Sequence, residues 1–153
     1  DLLLNLKTCV YNIEVRVAPN GKPYIMELTP RGGGNRLCEM LRYATGVDMM
    51  TAITRAIVGD PIQKPIVQEP YNGHWAEIIL HADKDGVFDH LAISKDLPAE
   101  VVEEDLWVKQ GDTVKSFEGA NDAIGTLVMK FQSAEELEKA LTNQREWLKV
   151  VVK

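Results

Sequence analysis

The chain has 153 residues, of which 45% are hydrophobic and 26% charged, and its net charge is −6. That suits one good core or two small modules of an ordinary soluble protein, and the negative balance argues against a general nucleic-acid or anionic-membrane surface while leaving room for a local basic pocket. No apolar run approaches the roughly 18 residues of a membrane span and no signal-peptide pattern opens the chain, so a cytoplasmic protein without nucleic-acid or membrane partners is expected.

Asp1 opens the chain without a Met and leads into LLLNL, which predicts the end of an apolar helix over residues 1–8, in a sequence cut from within a domain. Next comes YNIEVRVAPNGKPYIMELTPR, residues 11–31, two β-prone runs around Asn20-Gly21, the strongest short hairpin signal. A two-residue turn there predicts paired positions that sum to 41. One face then pairs Val17 with Tyr24, Val15 with Met26 and Ile13 with Leu28, all apolar. The other pairs Arg16 with Ile25, Glu14 with Glu27 and Asn12 with Thr29.

Two carboxylates directly opposite repel, by roughly 4 kcal/mol at about 4 Å and an effective dielectric of 20. A shared proton or a cation would relieve this. With the neutral oxygens of Asn12 and Thr29 beside them, an all-oxygen set suits Mg²⁺ or Mn²⁺ rather than zinc. The other reading leaves both acids solvated, or has Arg16 neutralise one.

Pro30-Arg31-Gly32-Gly33-Gly34-Asn35 is a loop between strand and helix, where backbone N–H groups can meet an anion, although three glycines also make a plain tight turn. Arg31 is placed to clamp a phosphate or carboxylate, or else to pair with Glu39 on the surface. Two amphipathic helices follow. The first covers about 36–45, with Leu37, Met40, Leu41 and Ala44 on one face and a stop at Gly46. The second begins at the N-cap Asp48, buries Met49, Ala52, Ile53, Ala56 and Ile57, and ends at Gly59. Both are expected to pack on the apolar face of the hairpin. Cys9 and Cys38 lack metal-ligand spacing and read as reduced thiols.

Pro61, Pro65 and Pro70 mark residues 61–70 as an extended connection, which divides the chain into 1–60 and 71–153. The second part is mostly β. WAEIILHA and VFDHLAIS flank Asp85-Gly86, a hairpin signal that would pair His81 with His90; two His could begin a metal site, but a half-exposed polar pair is the default. Asp83-Lys84-Asp85-Gly86 lacks the distant Glu of a calcium loop and reads as a turn. WVKQGDTVKSF predicts a Gly-Asp turn between two strands, and AIGTLVMKF predicts another strand. Ser133-Ala134-Glu135-Glu136 is a capping box opening a helix to about 149, with Leu137, Ala140, Leu141, Trp147 and Leu148 apolar. No Ser/His/Asp or Cys/His grouping suggests nucleophilic catalysis.

NIEVRV, a turn, PYIMELTPRGGGN and ATGVD together resemble the second half of an ATP-grasp domain, and VKQGDTVKSFEGANDAIGTLVMKFQSAEELEKAL resembles the β-rich C-terminal subdomain of the same group. The resemblance is to carboxylate–amine ligases such as L-amino-acid ligases, carbamoyl-phosphate synthetase large subunits and biotin carboxylase. It implies an α+β fold: the second half of an ATP-grasp domain, an antiparallel hairpin with packed helices, then a β-rich subdomain with a C-terminal helix. It implies that Glu14, Glu27 and Thr29 ligate Mg²⁺ (or Mn²⁺) bridging the phosphates of ATP. Arg31 would hold a phosphate or acyl-phosphate, and Gly32, Gly33 and Gly34 would line the acceptor pocket. The implied reaction joins a small carboxylate to an amine, or to a thiol, through an acyl-phosphate. Thr29 departs from the family pattern, which has Asn there. The half-domain that would supply the nucleotide lysines is expected as a missing N-terminal lobe, so this piece alone should be inactive and bind Mg²⁺–nucleotide weakly at most. A phosphoribosylamine–glycine ligase-like or biotin-carboxylase-like enzyme, and a non-catalytic anion-binding or dimerisation module, are the alternatives. A homodimer is left open.

Overall fold

The computed structural model describes residues 10–60 and 70–153. The helix expected over residues 1–8, Cys9 and residues 61–69 of the Pro-rich connection lie outside the described residues. The chain divides into two compact units, Asp1–Pro70 and Tyr71–Lys153.

In the first unit, β1 (Asn12–Val17) and β2 (Pro23–Thr29) pair antiparallel. Their inner half has the expected register: Asn12 opposite Thr29, Ile13 opposite Leu28, Glu14 opposite Glu27. The outer half does not. There Val15 faces Ile25, Arg16 faces Tyr24 and Val17 faces Pro23, so paired numbers sum to 40 and Met26 is an extra residue in β2. The turn is the cause. Gly21 N–H donates to Ala18 O at 2.8 Å and Ala18 N–H to Lys22 O at 3.0 Å, which makes a three-residue loop of Pro19, Asn20 and Gly21. Pro19 cannot donate to Lys22 as a two-residue turn would require, but its fixed φ suits the second position of a type I turn. Only Gly21 then takes the left-handed conformation, at φ 79°. The bulge at Met26 restores the register that the turn displaced.

α1 (Leu37–Thr45) ends on Gly46, left-handed at φ 73°, whose N–H donates to Arg42 O. Cys38 is a buried free thiol, and Ala44 and Thr45 are buried with it. α2 (Met49–Ile57) is capped by Asp48, which accepts from Thr51 N–H at 2.9 Å and Thr51 Oγ at 2.8 Å. These bonds, the backbone one first, hold the Asp48 carboxyl below its usual pKa. The expected burial fails in two places. No α2 residue is buried, and Ile57 is 79% exposed. On the hairpin, Ile13, Val15, Val17, Tyr24 and Met26 are all exposed, where helices were expected to cover them. Among the described residues, two strands and two nine-residue helices offer too little surface to enclose both apolar faces.

The second unit holds two three-stranded antiparallel sheets. One orders β3 (His74–His81), β7 (Ala123–Phe131) and β5 (Ala99–Leu106). The other orders β6 (Thr113–Val114), β4 (Gly86–Ile93) and β8 (Leu148–Val152). β7 has the predicted bounds and lies at the centre, with Leu127, Val128, Met129 and Phe131 at 0% exposure. At Gly125 the backbone of Asp105 comes too close for a Cβ, which is why an apolar strand carries a glycine there.

Three expectations are corrected here. His81 and His90 do not pair: Asp83–Asp85 carries the chain from one sheet to the other, so His81 meets Ala123 and His90 meets Val151. The turn at Lys109–Asp112 forms, but residues 107 and 108 are not strand; the strand before it is β5, AEVVEEDL, whose acids hid its β character. The last helix stops early. α3 (Ala134–Thr142) opens on Ser133, whose Oγ accepts from Glu136 N–H, and closes at Asn143. The one-turn α4 (Gln144–Trp147) leads directly into β8, where Val150, Val151 and Val152 are stiff at χ1 and favour extended backbone. Trp147 is buried, its indole N–H donating to Ala140 O at 2.7 Å.

Asp89 on β4 ties three segments together. Its carboxylate accepts from Lys153 Nζ at 2.7 Å and Gln110 Nε2 at 2.8 Å, and lies 3.0 Å from His90 Nδ1. The Lys153 bond first, then those from Gln110 and His90, holds this carboxyl far below its ordinary value of 3.8. A carboxyl depressed on folding adds stability above its unfolded pKa, and that stability is lost as pH falls toward the folded value. Asp89→Asn is therefore expected to lower the urea midpoint at neutral pH, and to flatten its fall between about pH 4 and pH 2, when unfolding is followed by tryptophan fluorescence.

Candidate functional site

The strand partners Glu14 and Glu27 form the core of the candidate site. Both are exposed, and directly opposed residues hold their Cβ atoms about 5 Å apart. The next pair, Asn12 and Thr29, is half-buried. Thr29 Oγ donates to Glu27 Oε1 at 2.6 Å, which fixes one carboxylate oxygen and leaves the hydroxyl's lone pairs free. Among the described residues Arg16 forms no ion pair with either acid. It stands opposite Tyr24, in the half of the hairpin that the bulge displaces.

No three His, Cys, Asp or Glu side chains converge among the described residues. A cage of protein ligands is therefore not what these residues build. Mg²⁺ needs none: it is commonly held by one or two carboxylates, with substrate phosphates and water filling the octahedron. Two opposed carboxylates with a hydroxyl and an amide alongside fit that pattern.

β2 delivers the chain into the glycine loop. Arg31 N–H donates to Thr29 O at 2.9 Å, a tight turn about Pro30, and the exposed Arg31 guanidinium donates to Gly32 O at 2.9 Å. Glu39, the alternative partner for Arg31, instead pairs with Arg36 at 3.7 Å. Of its five N–H groups Arg31 thus commits one within the described residues. The glycines have separable reasons. A Cβ on Gly32 would sit 2.9 Å from Cys38 Sγ, and one on Gly33 would collide with the Leu37 side chain, whereas Gly34 faces open space. The first two let the loop lie against the helices.

Left-handed backbone falls elsewhere, on Asn35 at φ 54° and Arg36 at φ 67°. The sequence reading missed these two residues. Asn next to a glycine run is the available signal, since Asn tolerates this conformation; for Arg it costs about 1–2 kcal/mol. α1 begins at Arg36 without a side-chain cap, so its first N–H groups are not met by a neighbouring side chain.

No protein-family model matches the chain, and no curated protein does. Solved structures do. The chain is similar to phosphoribosylglycinamide synthetase from Anaerococcus prevotii, with a TM-score of 0.73 and 23% identity over 98% of this chain and 38% of that one. It is similar to L-amino acid ligase from Bacillus licheniformis, with a TM-score of 0.63 and 16% identity over 92% of this chain and 35% of that one. It is also similar to the biotin carboxylase domain of 2-oxoglutarate carboxylase from Hydrogenobacter thermophilus, a dimer in complex with MgADP, ADP and bicarbonate. There the TM-score is 0.63 and the identity 16%, over 92% of this chain and 32% of that one. These are ATP-grasp ligases, and the chain has the fold of a part of them, spanning about a third of the length of the structures it matches.

The packing reason for two of the glycines is testable without any ligand. Gly33→Ala is expected to destabilise the chain by about 1–2 kcal/mol, because Leu37 must move, while Gly34→Ala should stay within about 0.5 kcal/mol of the parent in urea unfolding.

Proposed function

We propose that this chain is a piece of an ATP- and Mg²⁺-dependent ATP-grasp ligase, in which Glu14, Glu27 and Thr29 hold the metal and Arg31 holds a phosphate. The observation that carries the reading is the opposition of Glu14 and Glu27, with the Thr29 hydroxyl on one of them and Arg31 and the glycine loop immediately after. The fold likeness supports it. So does the exposed apolar face of the hairpin, which the missing N-terminal lobe of the same protein would cover.

Bound between the two carboxylates, Mg²⁺ would offset the charge of the ATP phosphates and of the carboxylate that approaches them. Glu14 and Glu27 supply the charge for that ion. Thr29 orients Glu27 through its donated hydrogen bond, and its hydroxyl oxygen stands where the family pattern has an Asn carbonyl. Arg31 keeps a planar fork for the transferred phosphoryl group, with Gly32, Gly33 and Gly34 beside it lining the acceptor pocket. In the reaction, a substrate carboxylate oxygen attacks the γ-phosphorus and the bond to ADP breaks. An amine, or a thiol, then attacks the acyl carbon, loses its proton and expels phosphate.

The substrate class follows the likenesses: a small carboxylate and an amine, with a phosphoribosylamine–glycine pair first among the candidates and a biotin-carboxylase-like reaction second. The cytoplasm is the expected location, and among the described residues no helix is long and apolar enough to cross a membrane. A second reading, a non-catalytic anion-binding or dimerisation module, draws on one observation, Thr29 in the place of Asn.

The test is phosphate release from ATP and Mg²⁺ by the full-length gene product, across a panel of carboxylate and amine pairs. Release that requires both substrates and falls by at least about 100-fold in Glu27→Gln is the expected outcome, since the loss of even an outer-shell partner of a metal ligand costs about 10–100-fold. No release with any pair would favour the non-catalytic module. The 153-residue chain alone should show no turnover.

A further inference from the structure

A cavity of about 240 Å³ in the second unit lies outside everything described above. It opens between two sheet edges: β3, through Ile79–His81, and β8, through Leu148–Val150. α4, which immediately precedes β8, supplies Gln144 and Arg145 to the same wall, and the bend after β3 supplies Asp83. Its charge is unlike that of the chain. The net charge of the protein is −6, yet this cavity gathers Arg145 and Lys149 against the single carboxylate of Asp83. Neither cation forms an ion pair among the described residues, although the chain offers 23 acids.

His81 provides an independent observation. Its Nδ1 is buried without a hydrogen-bond partner, and the ring packs against Phe117 with centroids 4.7 Å apart and planes tilted by 33°. The wall of the cavity carries the His81 ring alongside a guanidinium, an ammonium and the Gln144 amide. The guanidinium, the ammonium and the amide NH₂ can each donate. The volume is far above the ~15 Å³ that one water needs, leaving room for a tetrahedral anion with its water.

We propose that this cavity binds a phosphate group, with Arg145 and Lys149 as its charged ligands and the Gln144 amide as a further donor. A guanidinium fork matches two phosphate oxygens at once, and an ammonium adds a point charge. The site belongs to the Tyr71–Lys153 unit and does not rest on the ligase reading, so either can fail without the other.

Titration of the isotope-labelled chain with inorganic phosphate, followed by amide and imidazole NMR shifts, tests it. A parallel titration with a small phosphomonoester identifies the source of the group. Saturable shifts confined to residues 79–83 and 144–150 are expected. Arg145→Gln and Lys149→Gln should each weaken binding about tenfold or more, the loss of one charge-assisted hydrogen bond. Both side chains are exposed, so the variants keep the fold. Tighter binding of the ester would identify an esterified ligand, and equal binding free phosphate. An equal response to chloride at matched ionic strength, or no difference between parent and variants, would overturn the proposal.

Discussion

Strand register is the constraint on which the candidate site depends. Glu14 faces Glu27 only because two irregularities in one hairpin compensate. The Pro19-Asn20-Gly21 loop displaces the pairing by one position, and the Met26 bulge displaces it back. Without the bulge, the displaced pairing would run the length of the hairpin and set Glu14 against Met26, leaving Glu27 on the opposite side of the ribbon. A bulge also sharpens the local twist, which suits a place where two side chains must be aimed at one point. Thr29 then secures one of the two acids through its hydroxyl. Like-charge opposition is thus built by the backbone and only partly relieved by the neighbouring side chain, the condition under which a cation gains most from binding.

The two units differ in how they are held. The second encloses its own core around β7, with Leu80, Phe88, Leu127, Met129 and Phe131 all buried, and Trp147 closing it from α4. Polar ties such as Asp89 to Lys153 then fix the ends of its strands. Among its described residues the first unit has few buried ones, Cys38, Ala44 and Thr45 among them, and a hairpin that exposes apolar side chains on a two-stranded ribbon. Such a ribbon is marginal by itself. Among the described residues, the polar chemistry of the candidate site therefore lies on the element with the least core of its own.

Local signals in the sequence were legible wherever the physics was local. Asp48 and Ser133 cap their helices, Gly46 ends one, and AIGTLVMKF is a strand with its predicted bounds. The opposition of Glu14 and Glu27 is also legible, but the turn that accompanies it is not read from Asn20-Gly21 alone, because Pro19 lacks the N–H that a two-residue turn would need. What failed was non-local. Asp85-Gly86 does turn the chain, but nothing in those residues tells whether the flanking strands pair with each other or join separate sheets, and His81 and His90 went to different ones. β5 was hidden because Glu103 and Asp105 are only partly buried in a pairing with β7 that a one-strand pattern cannot reveal. The helix predicted to run to about 149 had good apolar spacing, but Val150–Val152 found a partner in β4 and took residues from Leu148 onward into a strand. The left-handed Asn35 and Arg36 answer to the packing of the loop against α1 and α2, again a tertiary demand.

The most direct test of the account is Mn²⁺ binding to this chain, read as paramagnetic broadening of backbone amide signals. Broadening is expected to centre on residues 12–14 and 27–29, to be displaced by excess Mg²⁺ and to be absent in Glu14→Gln/Glu27→Gln. Broadening centred on other carboxylates, or unchanged in the double variant, would contradict it.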